Sequence, residues 1–253
     1  MEINLNNRVA LVTGATGQLG RVMVRTLSRC GAAVAIHTRS NPAVAAELLQ
    51  ELTSNGASGC IVQGDVGDLD QMTAMGERIR SVLGAPDIVV TNAVSQIFPW
   101  RTVLEEDPAD YADQFRTCVL QNVHAAKVFV PAMVEKKWGR FIGINTECTI
   151  QTLETQSAYV SGKKGMDGVL RVLAREVGPA GVTVNQVAPG WTISFRDREN
   201  GTEDQPDYTK HVPLRRRGTD QDVANAVAFL ASDLAGFITG AFLPVNGGNT
   251  IPC

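Results

Sequence analysis

Short runs of β-branched and aliphatic residues alternate with longer segments of helical period along all 253 residues, and this alternation constrains the fold most. The apolar runs are 8–13, 33–38, 59–63, 87–92, 140–145, 182–188 and 241–246. Between them lie 19–30, 42–54, 68–83, 110–136, 157–178 and 220–232, where apolar residues recur at helical spacing. Apolar runs without polar alternation predict strands buried on both faces, and intervening helices are the crossovers a parallel sheet requires. The pattern predicts a doubly wound parallel α/β sheet of about seven strands, with helices on both faces in three α/β/α layers. No repeat, linker or low-complexity tract divides the chain, so residues 1–253 read as a single domain. Residues 191–218 lack a clear period and are rich in charge, Gly and Pro, as expected of a substrate loop.

Composition removes several function classes. A net charge of −3 and a pI of about 5.7 leave no electrostatic footprint for nucleic acid, and Arg215–Arg217 reads as a solvated basic cluster. Five cysteines form no CxxC pair and suit reduced thiols in a cytoplasmic protein. The three histidines lack metal-ligand spacing, so no metal is expected. No basic segment leading into an apolar stretch marks a secretory signal, and no apolar run reaches the ~20 residues of a membrane helix.

Two local patterns carry chemistry. The first predicted strand runs into TGATGQLG, residues 13–20, and then directly into a helix. Gly14, Gly17 and Gly20 permit a tight turn and close approach of backbone to a ligand, and the helix start offers free N–H groups to a pyrophosphate. The second pattern is Tyr159 and Lys163, four residues apart in a predicted helix and thirteen residues after Thr146. Side chains at that spacing share a helix face. An ammonium there is expected to lower a phenol pKa from about 10, giving a general acid–base near neutrality.

In order and distance these motifs resemble the short-chain dehydrogenase/reductase family over nearly the whole chain. TGATGQLG is similar to the family's glycine motif. Asp65-Val66 follows the third strand where the family contacts adenine, and Thr91-Asn92-Ala93-Val94 stands where Asn-Asn-Ala-Gly is usual. Asn122 resembles the helix asparagine of the catalytic tetrad, Pro189-Gly190 follows the sixth strand, and the tail from Phe229 to Gly248 matches the family's C-terminal segment. The resemblance implies a Rossmann-type fold and four catalytic residues. Tyr159 would donate the proton, and Lys163 would tune it and hold the nicotinamide ribose. Thr146 would bond the substrate oxygen, and Asn122 would hold a relay water. It also implies a cofactor site built from Gly14, Thr16, Gln18, Leu19, Gly20, Arg39, Ser40, Asp65, Val66, Asn92, Ala93, Tyr159, Lys163, Pro189, Gly190 and Thr192. Plainer roles exist: Thr146 as a strand-end threonine, Asn122 as a buried bridge, Asp65 as a turn residue and Arg39 as an exposed loop arginine.

The second strand ends in His37-Thr38-Arg39-Ser40-Asn41, without the carboxylate that usually holds an adenosine 2′-hydroxyl. Arg39 and Ser40 suit a 2′-phosphate, so NADP(H) is expected over NAD(H). Three residues depart from the pattern: Gln18 and Val94 replace glycines, and Thr146 replaces the commoner serine. The resemblance is closest to 3-oxoacyl-acyl-carrier-protein reductases and related carbonyl reductases, through 213–233 and 244–248. Their basic carrier-binding positions fall here on Val130 and Ala180, which argues against a carrier-bound substrate. A small-molecule ketone or alcohol is the expected partner, with Gln96, Phe98, Trp100, Glu147, Gln151, Trp191 and Phe195 lining its pocket. The family implies a homotetramer or homodimer, built through 110–136, 157–178 and the C-terminal strand. A cofactor-binding regulatory or structural protein with weak turnover is the alternative.

Overall fold

The computed structural model describes residues 2–95 and 97–251, so Gln96 of the expected pocket lies outside the described residues. The first half consists of β1 (Val9–Val12), α1 (Gln18–Arg29), β2 (Ala33–Thr38), α2 (Pro42–Ser54), β3 (Gly59–Gln63), α3 (Leu69–Val82) and β4 (Ile88–Thr91). It continues through α4 (Pro108–Gln114), α5 (Gln121–Lys136), β5 (Gly139–Ile144), α6 (Cys148–Gln151) and α7 (Ser157–Val177). The chain then forms β6 (Val182–Pro189), α8 (Phe195–Asn200), α9 (Pro206–Thr209), α10 (Asp220–Ala231) and β7 (Phe242–Val245).

The seven strands form one parallel sheet in the order β3-β2-β1-β4-β5-β6-β7. Every residue of β1, β4, β5 and β6 is buried, which is why those strands read as unalternating apolar runs. One apolar layer packs Met23, Leu27, Ile36, Val223 and Val227 on the α1/α10 side. The other packs Met72, Ile79, Phe129, Met133, Phe141 and Leu170 on the α3/α5/α7 side. Strand order reverses between β1 and β4, so the loops leaving their C-terminal ends part and open a crevice there.

Two expectations need correction. The predicted helix 110–136 is interrupted: Phe115–Leu120 is a π-helical segment between α4 and α5. Asn122 donates from Nδ2 to the Cys118 carbonyl at 2.6 Å, a side chain taking a backbone acceptor beside the widened turn. Arg215–Arg217 is not simply solvated, because Arg217 is buried. Its guanidinium donates to the carbonyls of Trp191, Thr192, Thr202 and Glu203 and to the Asp197 carboxylate, gathering 191–218 around one cation. That arginine, with the Ser194/Asp197 capping box, gives order to a stretch without hydrophobic period. Among the described residues no helix is long and apolar enough to cross a membrane.

Candidate active site

The crevice at the β1/β4 parting is a cleft of about 590 Å³. Gly14, Thr16, Gln18, Leu19, Arg39, Ser40, Asp65, Val66, Asn92 and Ala93 all line it, with Val94 and Ser95 beside them. Gly14 has φ +61°, and a Cβ there would lie 2.9 Å from the Ala93 Cα, so only glycine lets the two loops approach. Gly20 does not line the cleft. A Cβ there would meet the Gly14 carbonyl at 2.3 Å, so this glycine serves helix-to-loop packing. Gly17 is the N-cap of α1 and offers no side-chain cap, and no acidic residue stands in the first turn, which leaves the helix N–H groups and dipole to an anion. The adjoining Arg39 and Ser40 are exposed. These donors fit a dinucleotide carrying a further phosphate on its adenosine. Asp65 is already engaged: Oδ2 accepts from Arg116 at 2.7 Å and Oδ1 from the Gly67 N–H, which together hold its carboxyl below the usual range despite burial.

Side-chain hydrogen bonds to the backbone of the motifs fix this cleft. His37 is buried at the end of β2, where Nδ1 accepts from the Gly14 N–H at 2.9 Å and Nε2 donates to the Gly64 carbonyl at 3.0 Å. Burial pushes its pKa down, so the neutral ring is the folded form. Thr13 Oγ1 accepts from the N–H groups of Asn92 and Ala93 and donates to Gln121 Oε1, stitching the β1 and β4 loops together. Asn92 Nδ2 completes the seam on the Thr13 and Gly14 carbonyls.

The catalytic candidates gather at the C-terminal ends of β4 and β5. Asn122 Oδ1 accepts from Thr91 Oγ1 at 2.7 Å. Thr146 is buried, with its N–H held by Asn145 Oδ1 and its Oγ1 accepting from the Cys148 N–H at 3.2 Å. Asn145 Nδ2 also bonds Gln186 Oε1, whose amide reaches Asp167 on α7, so the hydroxyl-bearing turn and the α7 helix are braced together. Lys163 is buried and donates from Nζ to the Ile144 carbonyl at 2.6 Å, with Nζ 5.8 Å from the Tyr159 ring centroid. Tyr159 is half-buried, edge-on to Trp100 at 5.8 Å.

Spacing alone gives the wrong sign for the protein's own tuning of this pair. Burial pushes the Tyr159 phenol well above the usual range, countered in part by the Thr146 hydroxyl, and burial pushes Lys163 down. Both charged forms lose hydration, and the ammonium bonds a carbonyl instead of the phenol oxygen. The resting tyrosine is therefore protonated, the state a proton donor requires.

Pro189, Gly190 and Thr192 stand apart from the cleft walls, where β6 passes into the 191–218 segment. The Pro189 carbonyl accepts from the Glu147 N–H, the Gly190 N–H donates to the Val245 carbonyl, and Thr192 bridges to Gly218. Glu147 is buried and accepts from Tyr208 Oη at 2.9 Å and from Asn249 Nδ2 at 3.1 Å; no salt bridge reaches it among the described residues. Tyr208 is pushed up to about 12 by burial, packs edge-on to Trp191, and accepts from the Trp191 N–H. Phe98 is largely exposed, while Trp100, Trp191 and Phe195 keep partial exposure.

The family described as enoyl-(acyl carrier protein) reductase matches residues 14–250. This chain belongs to the short-chain dehydrogenase/reductase family. A 3-oxoacyl-[acyl-carrier-protein] reductase of Pseudomonas aeruginosa is 35% identical over 246 residues, 97% of this chain and 98% of that one. Nodulation protein G of Azospirillum brasilense is 32% identical over 96% of this chain and 98% of its own. A solved gluconate 5-dehydrogenase from Burkholderia cenocepacia, in complex with NADP and tartrate, superposes with TM-score 0.90 at 25% identity, over 100% of this chain and 98% of that one. A solved chain from Agrobacterium tumefaciens shares the fold, with TM-score 0.91 at 23% identity over 100% of both chains. The dehydrogenase/reductase family thus accounts for the sheet order and for the ordered motifs along it.

Proposed function

We propose that this dehydrogenase/reductase interconverts a ketone and a secondary alcohol with NADP(H), through Asn122, Thr146, Tyr159 and Lys163. The observation that carries this reading is Tyr159 and Lys163 one turn apart on α7, with buried Thr146 at the end of β5, on the carboxyl side of the sheet that also forms the dinucleotide cleft. When bound, the cofactor supplies or accepts the hydride. Thr146 Oγ1 accepts from the Cys148 N–H, and its own proton, directed to the Tyr159 side, would bond a substrate carbonyl oxygen there. Tyr159 delivers its proton to that oxygen as negative charge gathers there. Lys163 Nζ donates one hydrogen bond to the Ile144 carbonyl, leaving two N–H donors for ribose hydroxyls and a positive charge to stabilise the phenolate once formed. Asn122 spends one Oδ1 acceptor site on Thr91 and one Nδ2 hydrogen on Cys118, which fixes its amide and leaves one site on each atom for a relay water.

Arg39 and Ser40 support NADP(H), and the gluconate 5-dehydrogenase bound to NADP supports the same preference. The 3-oxoacyl reductase supports ketone reduction. Uncharged Val130 and Ala180 favour a small-molecule ketone over a carrier-bound one. We read residues 1–253 as one cytoplasmic domain, in keeping with the free cysteines among the described residues. A groove between α5 and α7, lined by Val130, Pro131, Val134, Val169, Val172 and Leu173, supports assembly into a homodimer or homotetramer. A panel of ketones and secondary alcohols with NADPH, NADP⁺ and their non-phosphorylated counterparts tests the proposal. Turnover with a higher kcat/KM for NADPH than for NADH is expected. NADH used equally well overturns the cofactor choice, and tight NADPH binding without turnover of any class points to a regulatory protein.

A further inference from the structure

Gln18 occupies the turn where the family's glycine motif has no side chain, and its amide leaves the cleft to grip a segment 175 residues away in sequence. Nε2 donates to the Ile193 carbonyl, and Oε1 accepts from the Phe195 N–H at 3.1 Å. Both hydrogen-bonding ends of one side chain are thereby spent on the start of the 191–218 segment. Neighbouring contacts reinforce the seam: the Arg21 guanidinium lies 5.4 Å from the Phe195 ring centroid, while its Nε donates to the Thr16 carbonyl at 2.8 Å. The segment's other ties lead elsewhere. Arg217 binds it internally, and Tyr208 ties it to Glu147. Of the residues lining the cleft, Gln18 is the one whose side chain bonds this segment.

We propose that Gln18 is a positioning residue, a clasp that holds 191–218 closed against the cofactor turn and so sets the rate at which cofactor leaves. The release step rests on the cofactor reading above; the clasp itself does not. A glycine at position 18 provides no such tie, so the substitution trades a bare turn for a latch. Phe195 is the first residue of α8, where proline is tolerated because its N–H makes no intrahelical bond, and Ser194 before it is already extended, with ψ 166°. Phe195→Pro therefore deletes the donor to Gln18 while leaving the helix able to form. Phe195→Ala keeps that donor and removes only the ring.

The test is hydrogen exchange over residues 196–201 in the cofactor-free protein, with stopped-flow NADPH release measured on the same variants. Gln18→Ala, which loses two neutral hydrogen bonds, is expected to raise exchange and to speed release about tenfold, and Phe195→Pro, which loses one, to raise both by a smaller factor of about threefold. Phe195→Ala is expected to keep exchange near that of the parent. Unchanged exchange in Gln18→Ala and Phe195→Pro overturns the clasp, and faster exchange with unchanged release overturns its control of cofactor release. If the parent binds no NADPH, the cofactor reading fails instead, and exchange alone still decides whether the clasp exists.

Discussion

The cleft beneath the glycine turn and the segment that approaches it from 191–218 are held by different physics. The cleft takes its shape from backbone geometry, a positive-φ glycine and a helix start without a side-chain cap, and buried side-chain bonds from Thr13 and His37, with Asn92 beside them, brace that backbone. The segment is set by a few long-range side-chain grips, from Gln18, Arg217 and Glu147. A site of the first kind accepts one ligand geometry and tolerates little substitution. A site of the second kind can change its closure, and hence its substrate, by exchanging single side chains. On the proposed reading, the cleft would be the cofactor end of the site and the 191–218 segment its substrate end.

The comparison breaks first at Gly14. Gly14→Ala forces a Cβ toward Ala93 at a left-handed residue, and NADPH affinity should fall roughly 10- to 100-fold by fluorescence titration. Unchanged affinity would mean that this turn is not the cradle. Glu147→Gln acts on the other half, because its amide NH₂ would face the Asn249 donor. It should raise the ketone KM about tenfold while NADPH affinity moves less than about twofold. Equal changes in both would erase the distinction between the two regions. The smallest effect concerns pH. The folded-state pKa of His37 lies below its ordinary value near 6.5, so its contribution is full above that pH and is lost as pH falls through the depressed pKa. A protonated ring would turn an N–H toward the Gly14 N–H. NADPH affinity should weaken less than about tenfold on acidification below about pH 6.5, and His37→Asn should flatten that dependence. A parent profile that is already flat would remove His37 from the cleft's support.

Sheet and helix positions are legible because strands covered on both faces leave unbroken apolar runs, as in 8–13 and 140–145. The glycine turn is legible because φ and close approach restrict residue type locally. Three features are not. The π segment at 115–120 keeps nearly the same apolar period as the helix around it, so only Asn122 hints at it. The role of His37 depends on the Gly14 and Gly64 backbones meeting around it, and the sole signal is a titratable residue closing an otherwise apolar strand. Gln18 and Arg217 find partners that sequence proximity cannot reveal. The Tyr159–Lys163 spacing is readable, yet the sign of the tyrosine's shift follows from burial, which spacing does not report.

On the proposed mechanism, Tyr159 delivers the proton to the carbonyl oxygen while NADP(H) exchanges the hydride. The most direct measurement is the single-turnover rate of ketone reduction at saturating NADPH, in the parent and in Tyr159→Phe. A loss of roughly 10²- to 10⁴-fold is expected, the usual contribution of a placed general acid. An undiminished rate in Tyr159→Phe would contradict that mechanism.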